Sequence, residues 1–298
     1  MSDLATLPPA RQPEPISSAT PSATGRVALP VLPPGAGHPP AGQTAPSESV
    51  TVPLDVPLAA GRLRGEVQVP AGPATPRDLL PVLQGLAGAI VGSAVQAAEA
   101  RGETVSCKKG CGACCRQLVP VSETEARRLR DLMNDLPEPR GSAVRARFAD
   151  ARERLEAAGL LEQLYRPERL PADQRQAFGM EYFRQSLPCP FLEDESCSIH
   201  PDRPLICREY LVTSPAEHCA RPSAAAVRCV PLPGRASRAA TRLGAGAAPA
   251  AGRWVPLVLA LEWADTHPTE PPARPGPEVL REFLGHLASR ERPAADKI

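Results

Sequence analysis

Large aromatic side chains are scarce in this sequence, at 3% of 298 residues. A core with so few rings has to be packed with Leu, Val and Ala, or gathered around a metal that supplies folding free energy directly. A surplus of either charge is missing as well. The formal net charge of +1 gives no global field to draw the chain to nucleic acid or to an anionic membrane. There is no long basic run with interleaved aromatics, so nucleic acid is not an expected partner. The segment MSDLATLPPARQPEP has no basic stretch followed by an apolar one, so a secretory signal is not expected. A cytoplasmic location with reduced thiols is therefore the expectation. A membrane span is not expected either. The charge-free stretch between Asp78 and Glu99 is long enough for one, but Pro81, Gln84, Ser93 and Gln96 interrupt it. A buried amphipathic helix is the better reading.

What the chain has in abundance is proline, 38 residues, and cysteine, nine. Residues 1–48 are rich in Pro, Ala, Ser and Thr and show no apolar period, a composition that predicts disorder. Over 49–74 the residues Val50, Val52, Leu54 and Val56 alternate. Ala59-Ala60-Gly61 breaks the run before Leu63, Val67 and Val69 resume it, which predicts a β-hairpin. Pro53 and Pro57 restrict its first strand to an edge. Thr75-Pro76 then reads as the start of a helix reaching Gly102. It opens a helical region, 75–232, that contains all nine cysteines.

Ser122 and Glu125 form a capping-box pattern ahead of Leu129, Leu132, Met133 and Leu136. Further helices are predicted over 142–159 and 173–186, and an irregular Pro-rich stretch over 187–230. Residues 233–252 read as a Gly/Ala/Arg linker. Two closing helices, Trp254 to Trp263 and Pro277 to Arg290, occupy 253–298, with both tryptophans expected in the core. The expected fold class is mainly α with a small N-terminal β-hairpin, metal-stapled Cys-rich loops and a disordered Pro-rich N-terminus.

The cysteines fall into two compact groups. The first is Cys107-Lys-Lys-Gly-Cys111-Gly-Ala-Cys114-Cys115. Soft thiolates suit zinc and iron–sulfur clusters, and close spacing lets a short loop wrap a metal. Gly110 and Gly112 can supply the positive φ values such a loop needs. Adjacent Cys114 and Cys115 point apart, so a bridge between them is strained. For the same reason they do not readily serve one zinc ion together, and a cluster or a paired site is the better expectation.

The second group runs from Cys189-Pro-Phe-Leu through Cys197-Ser-Ile-His200 and Arg203-Pro-Leu-Ile-Cys207-Arg208 to Tyr210. Cys219 and Cys229 follow at looser spacing. Lys108, Lys109, Arg116, Arg203 and Arg208 can offset thiolate charge. Arg203 and Arg208, lying among the cysteines, are the stronger candidates for hydrogen-bonding sulfur. His200 and His218 are read as loop histidines ahead of metal ligands.

The two motifs together resemble the CxxCxxCC family of zinc- or iron-chelating proteins, also called YkgJ-like cysteine-cluster proteins. Cys107, Cys111, Cys114 and Cys115 match its first motif, and Cys189–Leu192 with Cys197–Tyr210 match its second. His200 stands where the family usually has Tyr, and Tyr210 where it usually has Phe. The likeness covers roughly 105–220 and implies metal chelation. The expected ligands are Cys107, Cys111, Cys114, Cys115, Cys189, Cys197, Cys207 and Cys219, holding an iron–sulfur cluster or zinc.

A flagellin lysine N-methylase resembles the same family, so an S-adenosylmethionine-dependent lysine N-methyltransferase carrying a cluster is one alternative. No Gly-rich nucleotide loop after a strand supports it. A non-catalytic domain stapled by zinc is another. The spacing Cys107-x3-Cys111-x2-Cys114 also fits the loop of radical S-adenosylmethionine enzymes, but the βα repeats that loop requires are not apparent.

Overall fold

The computed structural model describes residues 48–223, 225–244 and 252–289. Residues 1–47, where disorder is predicted, lie outside the described residues, as do 245–251 of the predicted linker. The described chain is mainly helical with a small N-terminal hairpin.

Strands β1 (Ser49–Pro57) and β2 (Arg62–Pro70) pair antiparallel, with Val52 opposite Val67 and Val56 opposite Leu63. Gly61 closes the turn at φ +91°, a conformation open to glycine at little cost. The sheet has two strands only, so each is an edge and Pro53 and Pro57 are tolerated. After β3 (Pro73–Ala74) comes α1 (Leu80–Ala100). It begins later than predicted. The Thr75 amide and hydroxyl both donate to Asp78 Oδ2, at 2.7 and 2.8 Å, which closes a turn and leaves Pro81 in the first helical turn.

Strand β4 (Pro120–Ser122) leads into α2 (Glu123–Asp135), and the capping box of Ser122 and Glu125 is complete. Then follow α3 (Arg140–Ala157), α4 (Leu161–Tyr165) and α5 (Arg175–Arg184). The stretch 187–230 is not wholly irregular. It holds a hairpin of β5 (Leu192–Glu193) and β6 (Ser196–Cys197), the 3-10 turns His200–Asp202 and Ala216–Ala220, and α6 (Leu205–Glu209).

Two expectations are corrected further on. Within the predicted linker, α7 (Ala236–Ala240) is a helix whose Ala236, Ala239 and Ala240 are buried. Small side chains let it sit close under α6 and α9, a packing that the reading as a linker did not anticipate. Trp254 does not begin a helix. β7 (Trp254–Pro256) pairs with β4, setting buried Val121 opposite buried Val255. The helix that follows is α8 (Ala260–Thr266). Neither tryptophan is fully buried. Trp263 stacks on His267 at 4.6 Å and carries the Arg127 guanidinium 4.8 Å from its ring centre, an arrangement suited to a half-wet ring. The short β8 (Arg274–Pro275) pairs with β3, and α9 (Gly276–Ala288) ends the described chain.

The apolar side chains gather in separate cores. One joins the hairpin, α1, α7, α9 and Leu205 of α6. A second joins α2, α3, β4 and β7 with Phe191 and Ile199. A third lies between α3, α4 and Tyr182 of α5. By length and composition alone α1 could cross a membrane, but Leu83, Leu86, Ala87 and Ile90 are buried in the first core. The second cysteine group therefore runs between two cores, with Leu205 anchored in one and Phe191 and Ile199 in the other.

Candidate metal centre

The first cysteine group is a short loop closed by its own backbone. Cys111 N–H donates to Lys108 O at 3.2 Å, with Gly110 between them at φ +84°. A 3-10 turn, Ala113–Arg116, then carries Cys114 and Cys115. Gly112 is needed for a different reason from the one its position suggests. Its φ is −93°, which any residue can adopt, but a Cβ there would lie 2.4 Å from Glu195 Oε2 and 2.9 Å from Leu192 Cδ1. The β5–β6 hairpin packs directly on this glycine. Arg116 locks the contact with a two-pronged bond to Glu195, at 3.0 and 2.7 Å, while donating to Gly112 O at 2.8 Å.

Backbone bonds bring the second group onto the first. Cys189 N–H donates to Cys115 O at 2.7 Å. Cys197 pairs with Leu192 across the hairpin. Ser106 N–H donates to Val212 O at 3.0 Å, and Val212 forms a bridge with Cys229. The turn carrying Cys219 packs against the turn carrying Cys114. Glu125 positions Cys207 from a distance. One of its oxygens completes the capping box, and the other accepts Leu205 N–H at 2.7 Å, at the start of the helix that bears Cys207.

All nine cysteines are free thiols, and Cys114 interacts with six of the others. Cys107, Cys189, Cys197, Cys207 and Cys219 each lie within electrostatic range of it. Cys115 shares a hydrogen bond with it, which together with burial raises the Cys114 thiol far above the usual range. Burial is the leading cause elsewhere too. It pushes Cys189 up to about 12 and Cys219 up to about 11, and it raises Cys207 strongly. At Cys107, Cys114, Cys189, Cys197, Cys207 and Cys219 the neutral thiol is therefore favoured. Backbone N–H groups oppose this at four positions, Val212 at Cys107, its own amide at Cys114, Phe191 at Cys189 and Ile199 at Cys197. Such donors stabilise a thiolate once it forms.

Arg203 faces Cys107, Cys114, Cys197 and Cys207. Its Nε is buried and finds no partner among the described residues. A buried N–H left unmade costs free energy, and sulfur carrying negative charge is the acceptor this position suits. Arg208 instead ties the loop, donating to Arg203 O at 3.0 Å and to Pro201 O. Arg116 is engaged by Glu195, as described above.

The donor set is soft and rich in sulfur, which fits zinc or iron and not calcium or magnesium. Among the described residues, no three Cys, His, Asp or Glu side chains already close on one point as a ligand shell. Metal binding has to deprotonate the thiols and draw them inward.

His200 is exposed in its 3-10 turn. Desolvation and, after it, the guanidiniums of Arg203 and Arg208 pull its ring below the usual histidine range. His218 bonds Ala226 O through Nδ1 at 3.0 Å. Sequence reasoning did not find Glu125's second contact, the Arg116–Glu195 lock, or Arg147, whose charge reaches Cys189 from α3. It also left Tyr210 without a role. The Tyr210 hydroxyl accepts Gln117 Nε2 at 3.2 Å and bonds the exposed Cys229 thiol. Only the capping-box pattern of Glu125 carried a signal in the sequence; the rest are contacts between distant segments.

Comparison with protein families matches residues 106–225 to the model described as "CxxCxxCC: Putative zinc- or iron-chelating domain". No curated protein and no solved structure matches the chain. The match spans both cysteine groups up to and including Cys219 and stops short of Cys229. Residues 106–225 of the chain are thus similar to the CxxCxxCC domain model.

Proposed function

We propose that this protein holds iron as an iron–sulfur centre, with thiolates drawn jointly from its two cysteine groups. The observation that carries the reading is the convergence on Cys114. Five further thiols stand around it, and Cys111 joins them through Cys219. That exceeds the four thiolates that one structural zinc takes. Cys107, Cys111, Cys114, Cys189, Cys197, Cys207 and Cys219 are the ligand candidates. Cys115 is bonded to Cys114 and faces Arg116. Arg203 supplies a positive charge and a spare N–H to the sulfurs, and Arg208 holds Arg203's loop in place.

When bound, the centre supplies one-electron chemistry or, in a purely architectural role, a covalent staple. The staple would tie together the two cores that the cysteine loops connect. The test is anaerobic purification with iron, zinc and acid-labile sulfide counted and an absorption spectrum recorded. A brown protein with broad absorption that bleaches on reduction is expected. A colourless protein with stoichiometric zinc, and no iron taken up on reconstitution, overturns the iron reading and leaves a zinc staple.

A further inference from the structure

The β5–β6 hairpin is held very differently at its two ends. Its base belongs to the second core. Phe191 is fully buried, with its ring centre 5.4 Å from that of Phe148. Arg147 of α3 donates to Leu192 O at 3.1 Å and to Glu193 Oε1 at 2.7 Å, and Arg140 donates to Ser198 O at 3.0 Å. The tip, Asp194-Glu195, lies over the first cysteine loop instead. Among the described residues, the polar ties from tip to loop all end on the Glu195 carboxylate, which accepts Gly112 N–H and the two-pronged bond from Arg116. That side chain is 50% exposed and Arg116 30%, so the ion pair is weak and open to screening by salt. The tip also works against its own backbone. Asp194 and Glu195 have φ of +49° and +53°, values that a two-residue hairpin turn demands but that residues other than glycine adopt only at a cost.

We propose that the β5–β6 hairpin is a lid on the first cysteine loop, pivoting on its α3-anchored base and closed by the Arg116–Glu195 pair, so that Cys197 joins or leaves the other thiols as the lid shuts or opens. Cys197 lies in β6 opposite Leu192, whose side chain packs on Gly112, between Cys111 and Cys114 in the chain. Lifting the tip therefore carries Cys197 away and uncovers the loop from the Gly112 side. The base stays where the buried Phe191 and the two arginines of α3 hold it. Release of Glu195 frees the turn to relax its backbone, so one carboxylate sets the balance between shut and open. The lid is a property of the chain's own thiols and stands apart from the choice of metal. Where the thiols hold a metal as proposed above, the lid is the route by which it enters.

Alkylation by iodoacetamide, read cysteine by cysteine by mass spectrometry, reports the opening in the full chain, reduced and freed of metal under anaerobic conditions. Glu195→Gln and Arg116→Gln should each speed alkylation of Cys197 by about two- to fivefold. Raising salt from about 0.1 M to about 1 M should do the same in the wild type. Cys207 on α6 and Cys229, both outside the lid, should keep their wild-type rates. The two substitutions change local charge in opposite senses, so a field effect on thiol ionisation alone would move the two rates in opposite directions. Opposite shifts, or no change at Cys197 in either variant, overturn the lid. So does an equal rise at Cys207, which is general loosening. In the chain as purified, both variants should also release bound metal to excess EDTA faster than the wild type by a similar factor, and unchanged release counts against the lid in the same way. A wild-type chain that binds no metal contradicts the metal reading alone and leaves the alkylation rates to decide the lid.

Discussion

At the scale of single residues, the cysteine loops depend on contacts that are short and specific. Gly110 and Gly112 separate two kinds of glycine requirement. Gly110 has open space around it and a positive φ, so Gly110→Ala is expected to cost about 1 kcal/mol in backbone strain. Gly112→Ala meets Glu195 and Leu192 and must push the hairpin away. Its cost is expected at roughly 1–3 kcal/mol, with weaker metal retention as well. Thermal melts and metal counts on both variants check this; equal loss of metal in the two would contradict it. Glu125 offers a pH test. Burial raises its carboxyl above the ordinary range, so the protonated form is favoured in the folded state. Its contribution is then fully present below pH about 4.5 and is lost as pH rises through the folded value. Glu125→Gln cannot titrate. The melting temperature of the variant relative to wild type should therefore climb between pH 4 and pH 7, whatever the offset from altered hydrogen bonds. A relative stability that falls over that range would mean that the donors from Ser122 and Leu205 outweigh burial.

At the scale of elements, the sequence was most legible where a local rule acts alone. The hairpin followed from alternation, and α2 from its capping box, because both signals lie within a few residues of the structure they specify. The start of α1 moved because Asp78 captures Thr75 before the helix begins. β7 was hidden because three residues pairing with a distant strand leave no period to detect. Helix α7 was missed for a related reason. An Ala- and Arg-rich stretch reads as a linker, yet its alanines are the side chains small enough to pack under α6 and α9. Ser237 N–H also donates to the buried Glu209 at 3.0 Å. The expected consequence is that Ala239→Glu, which forces a long carboxylate into a position 1% exposed, destabilises by about 3 kcal/mol or more. Chemical denaturation reads this directly. A change within about 0.5 kcal/mol, typical of exposed positions, would show that α7 is not held in the core.

At the scale of the whole molecule, the candidate centre lies between two cores rather than inside either. The two cysteine motifs were visible in sequence as motifs, and so was their sulfur chemistry. Their meeting around Cys114 was not, since it depends on the Cys189 amide reaching Cys115, on the hairpin seated at Gly112, and on Glu125 fixing α6. None of these contacts leaves a trace in spacing. A metal held as proposed would be a structural partner of both cores, with ligands from segments that are separate in the chain. The central claim is that sulfur from both groups binds the metal together. X-ray absorption at the metal edge of the anaerobically purified full chain, repeated on Cys114→Ser and Cys207→Ser, tests it most directly. The account predicts a first shell of sulfur alone in the wild type, at about 2.3 Å, with sulfur lost from the shell in each variant. A shell dominated by nitrogen or oxygen, or one that a cysteine substitution in either group leaves unchanged, would contradict it.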